Sequence, residues 1–60
     1  MIYDVKKRGA AGDGKTDDTA AIQKGIDACF QNGGGSVILT DGIYVSGTLY
    51  LKSNVRLHIT

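Results

Sequence analysis

From residue 36 onward the apolar residues of this chain come only in short runs: SVIL (36–39), IYV (43–45), TLYL (48–51) and VRLHI (55–59), joined by TDG, SG and KSN. Runs this short, broken by turn residues, fit strands and are too brief for helices. Ahead of them lies one stretch with a different period. Between residues 18 and 31, Ile22, Ile26, Cys29 and Phe30 recur at three- and four-residue steps, with Ala21 at the edge of the same face. That spacing predicts one amphipathic helix. A single helix at the front and closely spaced short strands behind it favour a coiled β architecture over a repeating βαβ sheet.

Local signals refine the boundaries. Residues 2–5 (IYDV) are a further strand candidate, and the polar, glycine-rich residues 6–16 read as loop. Asp17, Asp18 and Thr19 can satisfy the free N–H groups at the helix start, and the two carboxylates complement its positive end. Asn32-Gly33 supplies a left-handed stop. Gly25 lowers helix propensity by about 1 kcal/mol relative to Ala, so close packing against another backbone is expected there. Alternation puts Leu49 and Leu51 on one face, then Val55, Leu57 and Ile59, with Tyr50, Arg56 and His58 opposite. The chain contains nine glycines and no proline, so glycine alone punctuates it.

A 60-residue chain makes one small domain, which buries only about 60% of its unfolded surface. The usual supports are missing from the sequence. Cys29 is the single cysteine, so there is no internal disulfide, and no Cys/His cluster suggests zinc. The net charge of +1 argues against nucleic acid or an anionic membrane as partner. No apolar run is long enough to span a bilayer, and MIYDVKKRG lacks the order of a secretory signal. The expectation is a chain that is oligomeric, marginal, or one piece of a longer protein.

Residues 9–16, GAAGDGKT, match the phosphate-loop pattern G-x-x-x-x-G-K-[ST], and VILTD (37–41) is similar to the strand that holds magnesium in such proteins. The charges oppose that reading. A phosphate loop offers positive potential to a polyanion, whereas Asp13, Asp17 and Asp18 would crowd the same place. Lys6, Lys7 and Arg8 also interrupt the apolar strand that should run into the first glycine. Asp13-Gly14 reads better as a turn, with Gly14 at positive φ.

Several strings together resemble a known family: GAAGDGKTDDTAAIQ, then IDACF followed by GGGSV, then GIYVSGTLYLKSNVRLH. They resemble the N-terminal segment of the pectin-degrading, pectate-lyase-like β-helix proteins. The run GTLYLKSNVRLHI (47–59) is most similar to the polygalacturonases (glycoside hydrolase family 28), whereas GAAGDGKTDDTAAIQ is shared by lyases and hydrolases. Two departures are Arg8, where the family usually has Phe, and Thr40-Asp41, where it usually has Pro.

The resemblance implies an all-β fold: a right-handed, single-stranded parallel β-helix whose N-terminal α-helical cap and first coils occupy residues 1–60 as one partial domain. It also implies a parent enzyme, often secreted or periplasmic, that acts on galacturonan by inverting hydrolysis. In such a reaction one carboxyl protonates the leaving oxygen while a carboxylate on the opposite face activates water. In that family these groups lie in Asn-Thr-Asp, Asp-Asp and Gly-His-Gly motifs on later coils. No catalytic, cofactor-binding or metal-ligating residue is therefore assigned within 1–60.

Other candidates have plainer roles. Asp17 and Asp18 are successive residues at a helix start, about 100° apart, and cannot flank one glycosidic bond. Asp4, Asp27 and Asp41 read as isolated surface or turn acids. His58 is a lone outward histidine, Cys29 belongs to the apolar stripe, and Lys6-Lys7-Arg8 form a solvated loop without aromatic platforms. Tyr44 and Tyr50 could stack on sugars, but packing on a sheet is the simpler role. Three hypotheses follow: a cap of a polygalacturonase-like enzyme, a self-standing capping or interaction module with an open β-edge, and a nucleotide-binding fragment. A solenoid needs about three repeats for stability. The isolated 60-residue polypeptide is therefore expected to be partly unfolded or self-associated through its open edge. Sedimentation with thermal unfolding checks this, and a sharp, concentration-independent transition of a monomer counts against it.

Overall fold

A computed structural model describes residues 1–59. Strand β1 (Ile2–Asp4) leads into a 3-10 turn (Lys6–Arg8) and strand β2 (Asp13–Asp17). Helix α1 (Thr19–Gln31) follows, then β3 (Gly35–Leu39), β4 (Ile43–Val45) and β5 (Val55–Ile59). Every strand pairing is parallel. β3 lies between β1 and β5 in one sheet, and β2 pairs with β4 in the other.

The register shows how the chain circulates. Ile2 lies opposite Ser36, so the first return to the same sheet takes 34 residues; Gly35 lies opposite Val55, so the second takes 20. The excess of the first return is close to the 13 residues of α1. The helix thus occupies an enlarged turn of a circuit that otherwise carries only short strands. Parallel neighbours require such crossovers, because a tight hairpin cannot join them.

The core lies between α1 and the three-stranded sheet. Ile22 and Ile26 from the helix, Val5 from the end of β1, Val37 from β3 and Cys29 are fully buried, with Tyr3, Ala10 and Leu39 around them. Each large aliphatic side chain removed from water contributes about 1.5–3 kcal/mol before entropy is counted. Cys29 acts here as a small apolar residue, its Sγ 3.8 Å from the carbonyl oxygen of Ser36. Phe30 departs from the expected stripe: it stands 47% exposed, one position round from Cys29, with the Lys52 ammonium 5.2 Å above its ring.

Both helix ends have local causes. At the C-terminus Gly33, at φ 84°, lets the chain turn back. The Gly34 N–H donates to Cys29 O at 2.8 Å and the Gly33 N–H to Phe30 O at 3.1 Å, the paired bonds of a Schellman stop. The close approach at Gly25 involves a side chain and not a backbone. A Cβ there would lie 2.8 Å from Tyr3 Cδ1 and 3.2 Å from Val37 Cγ1. The missing methyl lets α1 settle onto β1 and β3.

Two segments differ from expectation. Residues 13–16, read as loop, and Asp17, read as part of the helix start, form β2. DGKTD has no apolar alternation, and its extended form comes from pairing with β4, Asp13 opposite Ile43 and Asp17 opposite Val45. Residues 48–51, read as a strand, have no strand neighbour and lie against α1. The Gln23 side chain explains this. Its Oε1 accepts from the Tyr50 N–H at 2.8 Å, and its Nε2 donates to Tyr50 O at 3.0 Å. One amide side chain thus supplies both backbone partners that a strand would have given. Gly47 N–H donates to Thr19 Oγ1 at 2.7 Å, and Lys52 pairs with Asp27 at 2.8 Å, extending the same attachment.

Gly25→Ala should be net destabilising despite its better helix propensity. Overpacking of this kind costs about 1–3 kcal/mol and the propensity gain returns about 1 kcal/mol. A lowered urea midpoint, compared with the parent chain at equal protein concentration, is the expected result.

Candidate functional site

Residues 9–19 carry the densest polar network of the chain, and Asp18 is its centre. Its side chain is 4% exposed. Its two carboxylate oxygens accept the Ala11 and Gly12 N–H groups, each at 2.9 Å. Its own N–H donates to Val45 O at 2.7 Å, and its carbonyl accepts Ile22 N–H at 3.0 Å. One residue therefore joins the loop, the end of β4 and the first turn of α1. It stands at the helix N-cap position, yet its side chain makes no capping bond. Asp17 supplies that bond: its Oδ1 accepts the Thr19 N–H at 2.9 Å and also the Thr19 hydroxyl.

Asp13 organises the other half of the loop. Its Oδ1 accepts the N–H groups of Lys15 at 2.9 Å and Thr16 at 2.7 Å, and its Oδ2 accepts the Thr16 hydroxyl at 2.9 Å. Gly14 has φ 75°, as the expected Asp-Gly turn requires. Tyr44 closes the loop from above. Its ring lies over Gly12, and its hydroxyl donates to Thr40 O at 2.6 Å. Burial, with the charges of Asp4, Asp18 and Asp41, raises the Tyr44 phenol above its usual value, so it stays protonated and donating.

This arrangement decides the phosphate-loop question on geometry. The N–H groups of Ala11, Gly12, Lys15 and Thr16, which a phosphate would need, all point at carboxylates of the same chain. The loop is an anion cradle already filled by Asp13 and Asp18.

The remaining polar candidates are dispersed. His58 is exposed on β5, and Lys6, Lys7 and Arg8 are exposed on the 3-10 turn, where Arg8 stacks over the Tyr3 ring at 5.0 Å. Lys6 donates to Asp41 O at 2.5 Å, and Asp4 Oδ1 accepts the Lys6 N–H. Tyr50 is 71% exposed, beside an open groove of about 450 Å³ formed with Asp17, Thr19, Ala20, Gln23 and Thr48. Among the described residues no group of three or more His, Cys, Asp or Glu side chains is placed to hold a metal ion.

The model of the rhamnogalacturonase A/epimerase, pectate lyase-like family matches residues 2–58. The chain belongs to this family. Alginate lyase 7 of Azotobacter vinelandii is 52% identical over 63 residues, covering 92% of this chain and 7% of the relative. Exo-poly-alpha-D-galacturonosidase of Dickeya chrysanthemi is 40% identical over 58 residues, covering 97% of this chain and 9% of the relative. Among solved structures, the A-module of mannuronan C-5 epimerase AlgE6 from Azotobacter vinelandii superposes with a TM-score of 0.89. It is 47% identical, over 97% of this chain and 17% of that one. The chain thus spans under a tenth of the length of the two curated relatives described here.

This chain is built around a structural polar network centred on Asp13, Asp17 and Asp18. Asp13, Asp17 and Asp18 each accept backbone N–H groups from the loop or from the start of α1. Sequence reasoning placed Asp17 and Asp18 at the helix start but missed the reach of Asp18 back to residues 11 and 12. Its spacing of six and seven residues from those donors has no local template.

Removing the Asp18 carboxylate should therefore loosen the loop and the helix start together. Asp18→Ala is expected to cost about 2–3 kcal/mol, the scale of bonds to a charged acceptor in a part-buried site. Asp18→Asn should recover little, because an amide NH₂ then faces an N–H. Urea unfolding of both variants checks this.

Acid should weaken the same network. Asp13 is lowered by the N–H groups of Thr16 and Lys15, Asp17 by the Thr19 hydroxyl and N–H, and Asp27 by Lys52 and Gln23. Folded values below the ordinary 3.8 mean that the unfolded chain binds more protons in the intervening window. Their stabilisation is present above that pH and is lost as pH falls through the lowered values. The urea midpoint should drop below about pH 4, and Asp13→Asn with Asp17→Asn should flatten that dependence.

Proposed function

We propose that this chain forms the N-terminal segment of an enzyme acting on a uronic-acid polysaccharide, with α1 covering one end of a right-handed parallel β-helix. The observation that carries this reading is the parallel register, with returns of 34 and then 20 residues, together with an exposed last rung. On that rung Ile59 is 73% exposed, although it continues the inward-facing row of Leu39, and Ile43 on β4 is 70% exposed. A further coil stacked on β4 and β5 would cover them and pair the free edge of β5. In this reading the catalytic groups stand on those later coils.

Alginate, mannuronan and polygalacturonide, the polymers in the relatives' names, are all chains of uronic acids. The substrate class follows from that shared chemistry. Within it, inverting hydrolysis of galacturonan is the reading carried by GTLYLKSNVRLHI. Elimination or epimerisation on a mannuronan-type chain is the second reading, favoured by the higher identity to alginate lyase 7, 52% against 40% for the galacturonosidase.

The test uses the full-length gene product containing this segment, supplied with polygalacturonate and with polymannuronate. New reducing ends without ultraviolet absorbance identify hydrolysis, an absorbing unsaturated product identifies a lyase, and a changed sugar configuration by NMR identifies an epimerase. Action on at least one of the two polymers is expected. Inertness towards both, with activity on a neutral polysaccharide, would overturn the assignment.

A further inference from the structure

The outer face of the three-stranded sheet alternates with the inward row of Tyr3, Val37 and the half-buried Leu57. It carries Ile2 and Asp4 on β1, Ser36 and Ile38 on β3, and Arg56 and His58 on β5. Ser36 lies directly opposite Arg56. At this end of the sheet a polar groove of about 440 Å³ is lined by Gly35, Ser36, Asn54, Val55 and Arg56. The Gly35 N–H donates to Asn54 O at 2.9 Å, which fixes Asn54 beside Ser36. Among the described residues the Ser36 hydroxyl, the Asn54 amide and the Arg56 guanidinium make no hydrogen bond or ion pair.

We propose that this groove docks one carboxylate of an acidic polysaccharide, with Arg56 as the anchor and Ser36 and Asn54 as partners for neighbouring oxygens. The proposal rests on the uronic-acid reading above and adds a specific contact to it. A guanidinium suits the role, since it is planar, permanently charged and matched to a carboxylate by two parallel N–H groups. The local charge agrees. Arg56 and His58 share the face of β5, while the acid on this face, Asp4, sits on β1 with its Oδ1 accepting the Lys6 and Lys7 N–H groups. The other cation near β5 in sequence, Lys52, is held by Asp27 on the helix side. A hydroxyl and an amide beside the guanidinium match the alternation of carboxylate and hydroxyl groups along a polyuronate.

The experiment is affinity electrophoresis of the full-length protein in gels containing polygalacturonate, polymannuronate, or fully methyl-esterified polygalacturonate as the neutral control. Arg56→Ala should bind the acidic polymer about fivefold more weakly, the scale of one exposed charge-assisted contact, with no change on the ester. Arg56→Lys should fall between, and added salt should shrink the difference. Lys24→Ala, an exposed cation on α1 and away from the groove, is the control for net charge and should bind as the parent does. Unchanged binding by Arg56→Ala, an equal loss on acid and ester, or an equal loss in Lys24→Ala would overturn the docking contact while leaving the substrate class intact. A parent protein that binds neither acidic polymer would overturn the substrate class and this contact with it.

Discussion

The Asp18 carboxylate, buried between Ala11 and Gly12, belongs to the residue on which the loop, the end of β4 and the start of α1 converge. A charged group out of water is costly unless its lone pairs are used. Here they are used by two N–H groups that would otherwise be orphaned in a glycine-rich loop. The backbone of the same residue carries the first helical bond and the link to β4. Loop, strand and helix start are thereby set by one side chain. Asp17 is left free to cap the helix, and Asp13 to fold the turn that leads into β2.

From that junction α1 serves two neighbours with different faces. Its apolar side, Ile22, Ile26 and Cys29, packs against the sheet. Its polar side, Thr19, Gln23 and Asp27, holds the segment 47–52 through the backbone of Gly47 and Tyr50 and the ammonium of Lys52. A single helix therefore replaces a strand at that level of the stack. The chain keeps parallel order in the three-stranded sheet without a third strand beside β2 and β4.

The parts of this design governed by short-range rules were legible in the sequence. The helical stripe, the Asn32-Gly33 stop and the Asp13-Gly14 turn each depend on neighbours within about one turn of chain. Apart from the reach of Asp18 to residues 11 and 12, what was not legible depends mainly on contacts across 20 or more positions. TLYL reads as a strand until Gln23 is seen to occupy the Tyr50 backbone, 27 residues away. DGKTD reads as loop until β4 pairs with it. Phe30 fits the stripe by period, but the face that meets the sheet is narrow and ends at Cys29. The same limit applies to Arg56 and Ser36, since their adjacency exists only in the parallel register of β3 and β5.

The exposed edges of the two sheets are chemically unlike. On the β2 side the N–H groups of Lys15 and Thr16 are consumed by Asp13, and the exposed side chains are Asp13, Lys15 and Asp17. Charge and internal bonding of this kind blunt a strand edge against further pairing. On the β4 and β5 side the exposed residues include Ile43, Val45, Leu51 and Ile59, and β5 has one strand neighbour among the described residues. An apolar rung with free backbone donors invites another rung, whereas a charged one repels it. The acids that spoil GAAGDGKT as a phosphate site therefore also charge the exposed edge of β2, while β1, with Ile2 exposed and β3 as its one strand neighbour among the described residues, keeps an apolar edge like that of β5.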